Sequence, residues 1–171
     1  IQQEMIDNQG VLYRTSREGK LGGKGFLIDY ASMIKGLVAL YKANHDKQFL
    51  EMAIQLYDKA RSLFYVEGDG WYDTQEGQSD LFVRTKSLSD GAIPAATSIM
   101  LADLVALSEI TRESRFLSDA MATLDSESQF IKGSPLGAVV STQQLQKLLV
   151  SHPEKFNEPF EITMANPSPV R

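Results

Sequence analysis

Two aspartates raise the question of chemistry first. Asp29, followed by Tyr30, stands at the mouth of an apolar helical run in GFLIDYASMIKGLVAL (Gly25 to Leu40), and Asp90 precedes Gly91 and Pro94 ahead of a second run. A partly desolvated aspartate holds its proton closer to neutral pH, and paired carboxylates are the usual means of cleaving a glycosidic bond, their separation deciding retention or inversion. Asp is equally among the best residues at a helix N-terminus, where it accepts from free N–H groups and complements the dipole. At the level of sequence both readings stand, general acid and base or caps. Trp71 and Tyr72, on the connection ahead of the second run, could stack on a sugar ring or close the loop onto the rim of the fold. Asp73 adjoins them, and Tyr30 joins the group by position. Arg84 and Lys86, two apart on a predicted strand, face one side and could hold an acidic sugar or a phosphate, or serve as the charges that blunt a solvated strand edge.

Composition removes other chemistries. The chain has no cysteine, which excludes disulfides, thiolate metal sites and a cysteine nucleophile, and only His45 and His152, which exclude an all-histidine zinc site. His45 falls in the turn between helices and His152 precedes Pro153, and both read as surface residues. No metal or cofactor is expected. The net charge of −5, from 17 basic and 22 acidic residues spread along 171, argues against nucleic acid or an anionic membrane as partner. No apolar run reaches the roughly 18 to 20 residues of a membrane span, and the first residues lack a signal-peptide profile. A cytoplasmic location is expected. The glycines of GKLGGKG (Gly19 to Gly25) lack Walker spacing and a preceding strand, and read as a flexible connection.

The elements that must position these side chains come from an internal repeat. At an offset of 67, LVALYKANHDKQFLEMA (Leu37 to Ala53) matches LVALSEITRESRFLSDA (Leu104 to Ala120) at seven of seventeen positions. Each copy reads as a helix, a polar turn and a second helix, an αα-hairpin. The first helices, carrying Ile34, Leu37, Val38 and Leu40 or Ile99, Met100, Leu101 and Leu104, are apolar nearly all round, which predicts inner helices buried on several sides. The second helices carry one apolar stripe, Phe49, Ala53, Leu56, Ala60 and Leu63 or Phe116, Ala120 and Leu124, as outer helices should. The connections repeat too: MIDNQGVLYRT (Met5 to Thr15) resembles YVEGDGWYDT (Tyr65 to Thr74), with Gly10 opposite Gly70. DLFVRTK (Asp80 to Lys86) has strand composition, SPLGAVVSTQQLQKLLVS (Ser134 to Ser151) supplies a further inner-type helix, and FEITMANP (Phe160 to Pro167) reads as a terminal strand or tail. The predicted organisation is a single partial domain: a connection from a missing hairpin over 1–24, one hairpin over 25–66, a connection over 67–91, a second hairpin over 92–132, and half a hairpin with a tail over 133–171.

GFLIDYA, GDGWYDT (Gly68 to Thr74), FVRTKSLSDGAIPAATS (Phe82 to Ser98) and the closing PLGAVV and FEITM together resemble the C-terminal region of spermatogenesis-associated protein 20-like proteins. The resemblance covers most of the chain, roughly residues 10 to 164; Pro94 is followed here by Ala95, Ala96, Thr97 and Ser98 where that family usually continues Ser-Gly-Asn-Ser. It implies an all-α fold of antiparallel αα-hairpins in a partial (α/α)6 toroid, with short β-hairpin excursions in its connections, similar to N-acylglucosamine 2-epimerases and six-hairpin glycosidases. In such toroids substrates bind in a central funnel where connections feed the inner helices. The implied function is carbohydrate-active or carbohydrate-binding, hydrolase- or epimerase-like, with Asp29 and Asp90 as catalytic carboxylates and Tyr30, Trp71, Tyr72, Asp73, Arg84 and Lys86 as substrate contacts. The alternative is a non-catalytic helical scaffold that associates through open toroid edges.

Overall fold

A single helical turn, α1 (Gln2–Met5), and an antiparallel ribbon, β1 (Tyr13–Arg17) with β2 (Lys20–Lys24), come first in the computed structural model, which describes residues 2–77 and 83–156. The ribbon corrects the reading of GKLGGKG as a flexible connection. Glu18 and Gly19 both take left-handed backbone angles, φ 53° and 76°, and two successive positive φ values make a turn whose twist matches that of paired strands.

The two repeat copies fold as antiparallel αα-hairpins, α2 (Leu27–Asn44) with α3 (Lys47–Phe64) and, beyond the connection ribbon β3 (Tyr65–Val66) and β4 (Gly70–Trp71), α4 (Ala96–Thr111) with α5 (Ser114–Gly133). Each turn between helices is built in the same way. His45 and Arg112, 67 residues apart, end the first helices in the left-handed conformation at φ 58° and 62° and donate their N–H groups to Tyr41 and Ser108 carbonyls, closing orphan carbonyls as C-terminal caps do. Asp46 then starts α3 by accepting from the Gln48 N–H at 3.0 Å.

A further helix, α6 (Val139–Ser151), follows a short 3-10 turn at Pro135–Gly137. The first helices of each unit lie side by side, α4 packing against both α2 and α6, with α3 and α5 behind their partners. Between hairpins the contact is aromatic and ionic. Tyr57 meets Phe116 edge-on at 5.1 Å, the Tyr57 hydroxyl donates to Asp119, and Arg61 reaches Asp119 at 2.7 Å. Burial and the Asp119 carboxylate together push the Tyr57 phenol well above its ordinary pKa. The connection ribbon is pinned onto α5 because the buried Trp71 donates its indole N–H to Thr123 Oγ1 at 2.9 Å. Gly70 makes this approach workable: its φ is +91°, and a β-carbon there would lie 2.6 Å from Ser126 Oγ.

Two expectations need correction. The α2 helix is not buried on every side, since Leu40 is 47% exposed and Ala39 is exposed, whereas α4 is enclosed; α4 has a helix on each flank and α2 has one flank open. Residues Val83 to Lys86 form no strand, because their polar groups turn back onto the preceding loop. The rest of that predicted strand and the predicted terminal strand at 160–167 lie outside the described residues. Among the described residues no helix is long and apolar enough to cross a membrane.

Candidate functional site

The inner helices α2 and α4 both begin at one end of the molecule, and a cleft of about 490 Å³ lies between their first turns. Its apolar wall is Phe26 and Ile28 from the start of α2 with Ile93 and Pro94 before α4; its polar wall is Asp73, Thr74, Thr85, Ser87 and Ser89 from the connection. Phe26 and Ile93 are equivalent positions of the repeat. Asp73 assembles the polar wall. Its N–H donates to the Thr85 carbonyl at 2.9 Å and its own carbonyl accepts from Leu27 N–H at 2.9 Å, so one residue ties both arms of the connection to the first turn of α2. Its carboxylate accepts from the Thr85 and Ser87 hydroxyls, each at 2.9 Å, and from Ser87 N–H at 3.1 Å. Thr74 beside it is 7% exposed, and its hydroxyl has no hydrogen-bond partner among the described residues.

Of the eight residues singled out by sequence, Asp73 alone lines this cleft. Asp29 accepts from Phe26 N–H at 2.8 Å in a capping arrangement, pairs with Arg14 at 3.3 Å, and borders a separate depression with Tyr13 and Ser32. Asp90 accepts from Ala95 N–H at 2.9 Å with one oxygen and from Val140 N–H at 2.8 Å with the other. It thereby joins the beginnings of α4 and α6, neither of which has a side-chain cap of its own. Tyr30 is fully buried, accepting from Leu12 N–H at 2.8 Å and lying edge-on to Phe64. Trp71 is 1% exposed and packs against Tyr57 and Tyr65. Neither ring has a face free to stack on a sugar.

Arg84 and Lys86 do share a side, as their spacing implied, but what they share is the ring of Tyr72, with the Arg84 guanidinium carbon 4.1 Å and the Lys86 nitrogen 4.6 Å from its centroid. Arg84 also donates to the Thr74 carbonyl at 3.0 Å, and Lys86 bonds the Asp69 carboxylate and, at 2.7 Å, its carbonyl. The Tyr72 hydroxyl donates to Asp69 as well. Lys86 and Tyr72 hold the Asp69 carboxyl below its ordinary pKa, and the same bond raises the Tyr72 phenol. These cations are engaged in closing the loop.

No family model matches the sequence. The chain is 31% identical over 134 residues to spermatogenesis-associated protein 20 of Rattus norvegicus, an alignment covering 74% of this chain and 17% of that protein. It is 32% identical over 114 residues to the Mus musculus protein, covering 66% and 14%. The chain is a homologue of part of spermatogenesis-associated protein 20. It spans no more than about a fifth of these relatives' length. Its fold is shared with a GH76 α-mannanase of Bacteroides thetaiotaomicron, at a TM-score of 0.53 and 22% identity over 70% of this chain and 31% of the mannanase. The structure is a partial α/α toroid.

Two acids escaped the sequence reading of this spermatogenesis-associated protein 20 homologue. Glu127 on α5 is 2% exposed, with neither oxygen hydrogen-bonded among the described residues. Burial pushes its carboxyl up to about 7, with the Asp90 carboxylate adding to the shift and the Ser141 hydroxyl opposing it. Ser141 instead donates to Ser98 at 3.1 Å. Asp103 on α4 is 3% exposed and raised well above the usual carboxylate range by burial, against a smaller opposing pull from Lys35. The signal for Asp103 was present: it is the acid inside the otherwise apolar LADLVAL.

Proposed function

We propose that this chain supplies part of the saccharide-binding wall of an α/α toroid, and that the cleft between the first turns of α2 and α4 is where the sugar sits. The observation that carries the reading is the composition of the cleft: hydroxyls and a carboxylate on one side, Phe26, Ile28, Ile93 and Pro94 on the other. A pyranose has the same division, with an apolar ring face and a rim of hydroxyls, and small-ligand sites commonly pair an apolar lining with a few placed polar groups. The fold shared with an α-mannanase supports a carbohydrate ligand by analogy. Binding is better supported than bond cleavage. The two carboxylates that would serve as acid and base each accept from backbone N–H groups, and neither lines the cleft. Saturation-transfer NMR of the chain with a panel of mono- and oligosaccharides tests this: transfer to at least one sugar, lost on Ser87→Ala together with Ile93→Ala, is expected, and its absence for every sugar removes the reading.

A specific surface favours a second reading, association. An apolar groove of about 590 Å³ on the open flank of the first hairpin is lined by Met33, Leu37, Leu40, Phe49 and Met52. The equivalent face of the second hairpin is the one that the first hairpin covers, so this flank is the face left for a second copy of the chain to cover. Sedimentation over a range of concentrations separates a self-associating chain from a monomer.

A further inference from the structure

Resting on the saccharide reading, we infer that the cleft selects uncharged sugars over acidic ones, with the Thr74 hydroxyl and the first-turn N–H groups of α4 as its contacts to ligand oxygens and Asp73 as the group that turns anions away.

The contacts follow from what is left unpaired. The Thr74 hydroxyl is buried in the cleft wall with no partner among the described residues, and buried polar atoms are nearly always hydrogen-bonded, so an exception asks for a missing partner. Pairing with a sugar hydroxyl requires Thr74 to turn this oxygen toward the cleft by a change of χ1 rotamer. The beginning of α4 is the second unpaired group. Ala95 and Ala96 line the cleft and α4 has no side-chain cap; the Ala95 N–H is occupied by Asp90, but the N–H groups of the first turn proper still call for acceptors.

Charge decides which acceptor fits. A helix N-terminus presents roughly half a positive charge and by itself would welcome an anion. Here that half charge faces a full negative one. Asp73 lines the cleft as a carboxylate held by three donors, and Asp90 adds a second carboxylate at the beginning of α4. The α2 terminus offers no help, since Asp29 already occupies its first turn. Arg84 and Lys86, the cations that sequence reading assigned to an acidic substituent, do not line the cleft and are bound to Tyr72, the Thr74 carbonyl and Asp69. An entering carboxylate or phosphate meets the Asp73 carboxylate, whose three donors are neutral and which no salt bridge pairs among the described residues; the bordering cations are engaged elsewhere, Arg14 with Phe26 and Asp29 and Arg84 with the Thr74 carbonyl. A neutral sugar can accept from α4 and donate to Asp73.

The test is titration of the chain, followed by amide-resolved NMR at pH 7 and low salt, with two matched probes: methyl glucoside and methyl mannoside, and the corresponding methyl uronides. Neutral glycosides are expected to shift the amides of Thr74, Ala96 and Ser87, with the uronides about tenfold weaker. Asp73→Asn should bring the two classes close to equal. Thr74→Val, which removes no internal hydrogen bond and so keeps its melting temperature, should weaken neutral glycosides about tenfold. Uronides binding as tightly as the glycosides, or a Thr74→Val variant that binds normally, overturns this inference and leaves a saccharide site standing. If neither class shifts these amides, the saccharide reading itself fails. Should Asp73→Asn not fold, salt dependence decides in its place: uronide binding must strengthen as salt screens Asp73, and neutral binding must not change.

Discussion

Sixty-seven residues separate Met33, Leu37, Leu40 and Phe49 of the first hairpin from Met100, Leu104, Leu107 and Phe116 of the second, and the residue types agree closely. Their surroundings do not. Leu107 and Phe116 are completely buried, whereas Leu40 is 47% exposed and Phe49 half-buried. The second hairpin has the first laid against it, through Tyr57 on Phe116 and Arg61 on Asp119; the first has a groove in the corresponding place. Equivalent side chains thus do different work in the two units. Burial in this repeat is conferred by the neighbouring hairpin and not by the unit's own pattern, as expected where each unit cannot enclose its apolar face alone. The difference extends to charge: Gly36 and Ala60 of the first unit stand opposite Asp103 and Glu127 of the second, so the covered unit is also the one that buries acids.

Truncating the shared phenylalanine gives the largest contrast. Phe116→Ala should cost about 3–5 kcal/mol, since it opens a cavity under Tyr57, whereas Phe49→Ala should cost no more than about 1–2 kcal/mol. Urea denaturation of both variants measures the gap, and equal costs would mean that the groove on the first hairpin is filled in solution. Next comes the buried acid. Because the folded state raises the Glu127 carboxyl from 4.5 to about 7, the stability linked to its proton is full below pH 4.5 and is lost as pH rises through 7. Glu127 by itself should therefore lower stability between pH 5 and pH 8 by up to about 3 kcal/mol. Glu127→Gln should remove the part of the slope that belongs to this carboxyl and leave the part from Asp103, which is raised in the same direction. A slope unchanged in the variant would place the proton elsewhere.

Smaller effects sharpen the interface itself. Asp119→Ala leaves Arg61 and the Tyr57 hydroxyl without their shared acceptor and should cost about 1–3 kcal/mol. Met52→Ala, at the equivalent position on the open flank, should cost about 1 kcal/mol. Paired melting curves test this. The smallest change is Leu40→Glu, expected within about 0.5 kcal/mol of wild type because the site faces solvent. The same variant should abolish any concentration-dependent association seen by sedimentation, and association that survives it must use another face.

Much of the fold was legible because its signals are local. The LVAL echo and the paired Phe-Leu steps marked two hairpins, and the turn between helices recurs down to the left-handed His45 and Arg112. The positions of Asp29 and Asp90 at helix beginnings could be read as well. The identity of Asp90's second partner could not, since Val140 lies 50 residues further along. The same limit applies to Arg84 and Lys86. Alternation put them on one side, but nothing local said that the side would be occupied by the ring of Tyr72. The cleft was missed for a related reason: Phe26, Thr74, Ser87 and Ile93 belong to three separate segments, and no single window of sequence joins them.

From the sequence alone came the helices, their pairing into hairpins and the division into inner and outer members, because a 3.6-residue apolar period and a capped turn are properties of neighbours along the chain. Tertiary structure decided which flank of each hairpin is covered, which carboxylates are spent on backbone N–H groups, and which hydroxyl is left without a partner. Those outcomes depend on residues that meet only after the chain has packed, where desolvation gives each contact its weight.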